Sequence, residues 1–202
     1  MVMAESTGNQ IDCRARLLCS RYAVVAVGAV SSPTHHALLC GLGFLTDGEW
    51  EALGVWSTGG QWLGGDHSLV ADLQRRGLER IRLLVCGDLA AANLVLYAFP
   101  GAEWMPSMRT GPPTEAVSVS LPKGMRRVVA AAATVVSNLE HCLESALGRQ
   151  RDLSDVGQMC DFAAALLHRA ESLAARIGAC DVNSRTAMRP LLHNAKFTSP
   201  PV

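Results

Sequence analysis

The sequence predicts an α/β domain: a mixed sheet, antiparallel in its first half, followed by a pair of long helices. Three observations carry that prediction. Residues 22–56 hold three apolar runs joined by turn signals. Residues 66–105 alternate helical and strand-like pieces. From residue 125 onward, apolar side chains recur at helical spacing through two long stretches.

Each element has its own signal. Tyr22 to Val30 (YAVVAVGAV) is Val-rich without a helical period, which predicts a buried strand. Ser31-Ser32-Pro33-Thr34 reads as a turn, and His36 to Leu45 as a second strand. Thr46-Asp47-Gly48-Glu49 carries the Asp-Gly signal of a hairpin, so Trp50 to Trp56 pairs back as a third strand, with Gly54 as a candidate bulge. Ser57 to Gly65 (STGGQWLGG) is a Gly-rich connection without the Lys-Ser/Thr ending of a phosphate-binding loop. A helix follows, with Asp66 as N-cap, Leu69, Val70 and Leu73 on one face, and Gly77 as the glycine after its end. Ile81 to Cys86 is the fourth strand, Leu89 to Ala98 a short helix and Ala102 to Met105 a fifth strand.

Residues 106–124, with Pro106, Pro112, Pro113 and Pro122, form a linker holding a short extended piece, VSVSL. Met125 to Leu147 carries an apolar stripe at 128, 132, 135, 136, 139, 143 and 146, and Asp155 to Ile177 carries a second. With only Gly148 to Ser154 between them, the two helices should form an antiparallel pair. The organisation expected is an N-terminal segment (1–20), an α/β core (21–110), a helical region (111–193) and a flexible tail (194–202). Three meander strands, helix, strand, helix, strand and helices is the order found in the ribonuclease H-like fold.

The totals set bounds on function. A chain of 202 residues, 49% apolar and 18% charged, can bury a core without disulfides. Eighteen basic residues balance eighteen acidic ones, so the net charge exerts no bulk pull on nucleic acid. The seven cysteines (13, 19, 40, 86, 142, 160 and 180) form no CxxC pair, and most of them read as buried free thiols in a reducing compartment. The first twenty residues lack the order of a signal peptide. The longest apolar run, Val128 to Val136 with Thr134 allowed, is about half of the ~20 residues a bilayer span needs. A soluble, cytoplasmic protein is expected.

Asp88 is the residue on which function turns. It follows a buried strand and precedes a helix, so it is either that helix's N-cap or a carboxylate held at the sheet rim for a metal ion. Other candidates have structural readings. His35 and His36 are neighbours and point apart on a strand; His141-Cys142 shares that weakness on a helix. Asp161 and His168 lie two turns apart on one helix face. Arg75, Arg76, Arg80 and Arg82 form one basic patch, and Lys123, Arg126 and Arg127 another. The four tryptophans, 50, 56, 62 and 104, are packing residues.

Several short motifs occur in a fixed order. They are Glu51-Ala52-Leu53-Gly54-Val55-Trp56 (E-x-LG-x-W), Asp72 to Gly77 (DL-x-x-RG), Asp88, and Ala98-Phe99-Pro100-Gly101-Ala102 (A-x-FP-x-A). Together with a looser match at LPKGMRRVVAAAATVV, they resemble the catalytic domain of Mutator-type bacterial insertion-sequence transposases, of the DDE superfamily, over residues 22–147. The resemblance implies DNA cleavage and strand transfer at transposon ends, with three carboxylates holding two Mg²⁺ or Mn²⁺ ions. It makes Asp88 the second carboxylate, both catalytic and metal-binding.

Three departures go with it. Gly28-Ala29 stands where the first carboxylate belongs, Met105 and Met108 stand where a Cys-x-x-His pair should fall, and no Asn- and Glu-bearing motif follows residue 150. No DNA-recognition region is recognisable. The expectation is therefore a truncated, inactive relative. The alternative is a non-enzymatic α/β protein that associates, as a homo-oligomer for example, through its helical hairpin (125–177). A DNA binder competing with an intact transposase is a third reading.

Overall fold

The computed structural model describes residues 16–31, 37–58, 68–107, 121–150, 153 and 155–177. The elements are β1 (Arg21–Ser31), β2 (Ala37–Phe44), β3 (Trp50–Ser57), α1 (Ser68–Arg75), β4 (Arg80–Cys86), α2 (Leu89–Ala98), β5 (Glu103–Met105), α3 (Lys123–Leu147) and α4 (Val156–Ile177). Several sequence expectations lie outside the described residues: most of the turn after β1, His35 and His36, residues 59–67 with Trp62 and Asp66, residues 108–120, Cys13, Cys180 and the tail.

The five strands make one mixed sheet in the order β3-β2-β1-β4-β5. β1 pairs antiparallel with β2 and β2 antiparallel with β3, which is the expected meander. β1 also pairs parallel with β4, and β4 parallel with β5. The central position of β1 explains its uninterrupted apolar run. Val24 and Ala26 enter one core and Val25 and Val27 the other, so both faces of the strand are buried.

α1 and α2 cover one face. Their Leu69, Leu73 and Val95 pack with Tyr22, Leu39, Trp56 and Leu84. α3 and α4 cover the other, where Val128, Val136, Leu139, Leu143, Met159 and Leu167 meet Leu42, Phe44, Val55 and Leu83. α3 lies chiefly over β1 and α4 over β3. The two helices are thus a layer of the domain rather than an appendage to it. The apolar stripe on which association through the helical hairpin rested, Val128, Ala132, Val135, Val136, Leu139 and Leu143, is buried. No described helix is long and apolar enough to cross a membrane.

Gly54 does mark a bulge. Ala52 pairs with Leu42 and Gly54 with Gly41, which leaves Leu53 without an opposite number. Gly54 takes φ 153°, a region other residues avoid. The Trp56 ring lies against this backbone: a Cβ at Gly54 would come within 2.9 Å of it, and one at Gly41 within 2.8 Å.

Candidate functional site

Asp88 follows the end of β4, and its backbone is extended (φ −102°, ψ 122°). Its Oδ1 accepts the Ala91 amide at 2.7 Å. That is an N-cap, satisfying one of the amides the first turn of α2 would otherwise leave open. The Cys86 thiol donates to the Asp88 carbonyl at 3.2 Å.

The adjacent strand end carries the departure seen in the sequence. β1 and β4 are in register at Val27 and Cys86, so continuing the ladder sets Gly28 level with Gly87 and Ala29 level with Asp88. No carboxylate belongs to β1 here, but one arrives from α3. Glu140 is only 4% exposed, and its Oε1 accepts the Ala29 amide at 3.0 Å. A Cβ at Gly28 would stand 2.7 Å from that oxygen, 2.8 Å from Glu140 Cγ and 3.0 Å from Cys40 Sγ. Real side chains do not approach so closely, so glycine at 28 and the seated Glu140 go together.

Two thiols share this neighbourhood. Cys40, on β2, is pushed up to about 12 by burial and then by the nearby Glu140 carboxylate. Cys86 is also pushed up to about 12, chiefly by burial, with the Asp88 backbone opposing the shift and the Asp88 and Glu140 carboxylates adding to it. Both are protonated near neutral pH and therefore poor nucleophiles.

Glu140 escaped the reading of the sequence. Its signal was helical spacing: it lies four residues after Val136 and three before Leu143, inside the buried stripe of α3. Its carboxylate and that of Asp88 occupy neighbouring strand ends, yet each already binds a backbone amide. Among the described residues no three His, Cys, Asp or Glu side chains are grouped to hold a metal ion. This donor set does not fit a two-metal centre.

The first two motifs converge elsewhere, at the β3 edge. Arg76, expected in a basic surface patch, is instead 1% exposed. Its Nη1 donates to the Leu53 carbonyl at the bulge and to Asp72 Oδ2 (3.1 Å), and its Nε donates to the Arg16 carbonyl at 2.8 Å. Trp56 Nε1 donates to the same Asp72 oxygen at 3.3 Å, and the exposed Arg75 pairs with Asp72 Oδ1. Gly77 takes φ 100° after the end of α1.

Glu51 completes the group. It accepts from the Tyr22 hydroxyl and pairs with Arg16 at 3.1 Å. Burial raises its carboxyl above the usual range, and Arg16 opposes that shift. Arg16 also pairs with Glu171 of α4 at 2.7 Å, and Glu171 Oε2 lies 3.4 Å from His168 Nδ1. The acidic neighbour of His168 is thus Glu171, while Asp161 is exposed. Arg80, Arg82, Lys123, Arg126 and Arg127 are exposed, as a solvated basic surface would be.

A scan against protein-family models and a search of curated proteins find no match to this chain.

Proposed function

We propose that this chain is a transposase-type catalytic domain of ribonuclease H-like architecture that has lost its metal centre and no longer cleaves DNA. The ordered motifs from Glu51 to Ala102 support the ancestry. So does the mixed sheet, with a three-strand meander continued through β1 into two parallel strands and Asp88 beyond the end of β4. One observation carries the loss of activity: the β1 position that would need a carboxylate is a glycine against which Glu140 is packed. Restoring an acid there without moving Glu140 would put two carboxylates into one buried space.

The test is supercoiled plasmid incubated with the full chain in Mg²⁺ or Mn²⁺. Nicking should not exceed that of buffer, and Asp88→Ala should change nothing. Vigorous cleavage abolished by Asp88→Ala would overturn the proposed inactivity. Ancestry is tested separately, by looking for terminal inverted repeats in the DNA flanking the reading frame. Any DNA affinity that survives would run through Lys123, Arg126 and Arg127 and weaken as salt is added.

A further inference from the structure

Arg16 stands between two carboxylates. Its Nη1 donates to Glu171 Oε1 of α4 at 2.7 Å. Its Nη2 donates to the Ala52 carbonyl at 2.9 Å and lies 3.1 Å from Glu51 Oε2 of β3. One guanidinium thus serves two acids that reach it from different elements, and Glu51 has the longer contact. The Glu51 and Glu171 side chains are 26% and 15% exposed, so water screens their charges only in part.

Other charged and polar groups face the pair. From β1, the Tyr22 hydroxyl donates to Glu51 and itself accepts the Cys19 amide at 3.1 Å. After the end of α1, Arg76 favours the charged form of Glu51 but is committed to Asp72 and the Leu53 carbonyl. On α4, His168 Nδ1 lies 3.4 Å from Glu171 Oε2. Burial is the main cause that holds the Glu51 carboxyl above its usual range. Arg16 opposes it, the Glu171 charge adds to it, and the Cys19 amide and Arg76 oppose it.

We propose that Glu51 is a proton switch on the contact by which Arg16 holds α4 to β3. Ionised, Glu51 competes with Glu171 for the guanidinium. Protonated, it keeps the Tyr22 hydroxyl as a partner and leaves Arg16 to Glu171 and the Ala52 carbonyl. The hold on α4 is therefore firm in mild acid and divided once Glu51 is charged. A carboxyl that ionises less readily in the folded chain than in the unfolded one adds stability below its unfolded value, and that stability is lost as pH rises through the folded value.

The experiment compares urea denaturation midpoints of the full chain and of Glu51→Gln from mildly acidic to neutral buffer, with hydrogen exchange along α4 as a second readout. The variant cannot ionise at this position. Its midpoint should exceed that of the wild type near neutrality, and the gap should close as pH falls. Exchange in the second half of α4, corrected for its intrinsic pH dependence, should quicken toward neutrality in the wild type and less so in the variant. The Glu51→Gln gap measured in a Glu171→Gln background should shrink, because the competitor is gone. Measured in a His168→Gln background, which takes the imidazole out of the balance, it should persist. A gap that does not vary with pH, or that opens toward acid, would overturn the proposal, since Arg16 would then outweigh burial. So would a gap unchanged by Glu171→Gln, or one abolished by His168→Gln. Failure of Glu51→Gln to fold would overturn it too, because a neutral side chain is what the folded chain should favour there.

Discussion

Asp88 shows how a single side chain at a strand end serves a local need. Its bond to the Ala91 amide predicts that Asp88→Ala lowers stability by about 1 kcal/mol, with Asp88→Asn nearly neutral. Urea denaturation of the three proteins measures both. Gly28→Asp should cost at least the ~1–3 kcal/mol of an overpacked core. Adding Glu140→Ala should recover part of that cost, a coupling readable from a double-mutant cycle. The buried thiols set an alkaline limit. Cys40 and Cys86 ionise near 9 when unfolded but only near 12 when folded, so both states are neutral below the lower value. Between about 9 and 12 the unfolded chain ionises first, and stability falls as pH rises. Cys86→Ala should flatten that fall in denaturation midpoints taken across the range. Asp88 was legible in the sequence because a cap needs only its own helix. Glu140 was harder to see, since its partner amide at Ala29 lies 111 residues away.

At the scale of elements, every strand and helix between residues 21 and 107 was foreshadowed by local pattern, because turns, caps and alternation are local causes. The Asp-Gly turn sets the β2–β3 register, and Gly54 sets the bulge. Pattern alone could not say what the bulge does to its neighbours. At the bulge the Leu53 carbonyl accepts from Arg76, which turns inward from the end of α1 to bind it. An arginine that reads as surface charge is thereby buried beside Asp72. Arg76→Met should destabilise by ~3–5 kcal/mol, because Asp72 and the Leu53 carbonyl would lose their partner inside the protein. Guanidinium denaturation gives the number, and an effect below about 1 kcal/mol would contradict this account. The E-x-LG-x-W and DL-x-x-RG motifs meet in this one network. Their spacing therefore reports how β3 is joined to α1.

For the whole molecule, the sequence placed a helical region after the α/β core, and in the structure its two long helices pack on the sheet. α3 and α4 supply one entire layer, so the sheet face bearing Leu42, Phe44, Val55 and Leu83 would be open without them. A chain ending at residue 107 should expose that face and aggregate or stay unfolded, as circular dichroism and light scattering would reveal. The sequence showed the stripes but not their partner for a physical reason: an amphipathic stripe announces that something covers it but does not say what. The pairing of Arg16 with Glu171 of α4 also has a consequence in time. Arg16 and Glu171 are separated by 155 positions. At about 5–20 residues per second on the ribosome, roughly 8 to 30 seconds pass between the making of one and of the other. Throughout that interval Arg16 lacks its partner on α4, so the contact that ties the N-terminal segment to the last helix closes only when synthesis is nearly done.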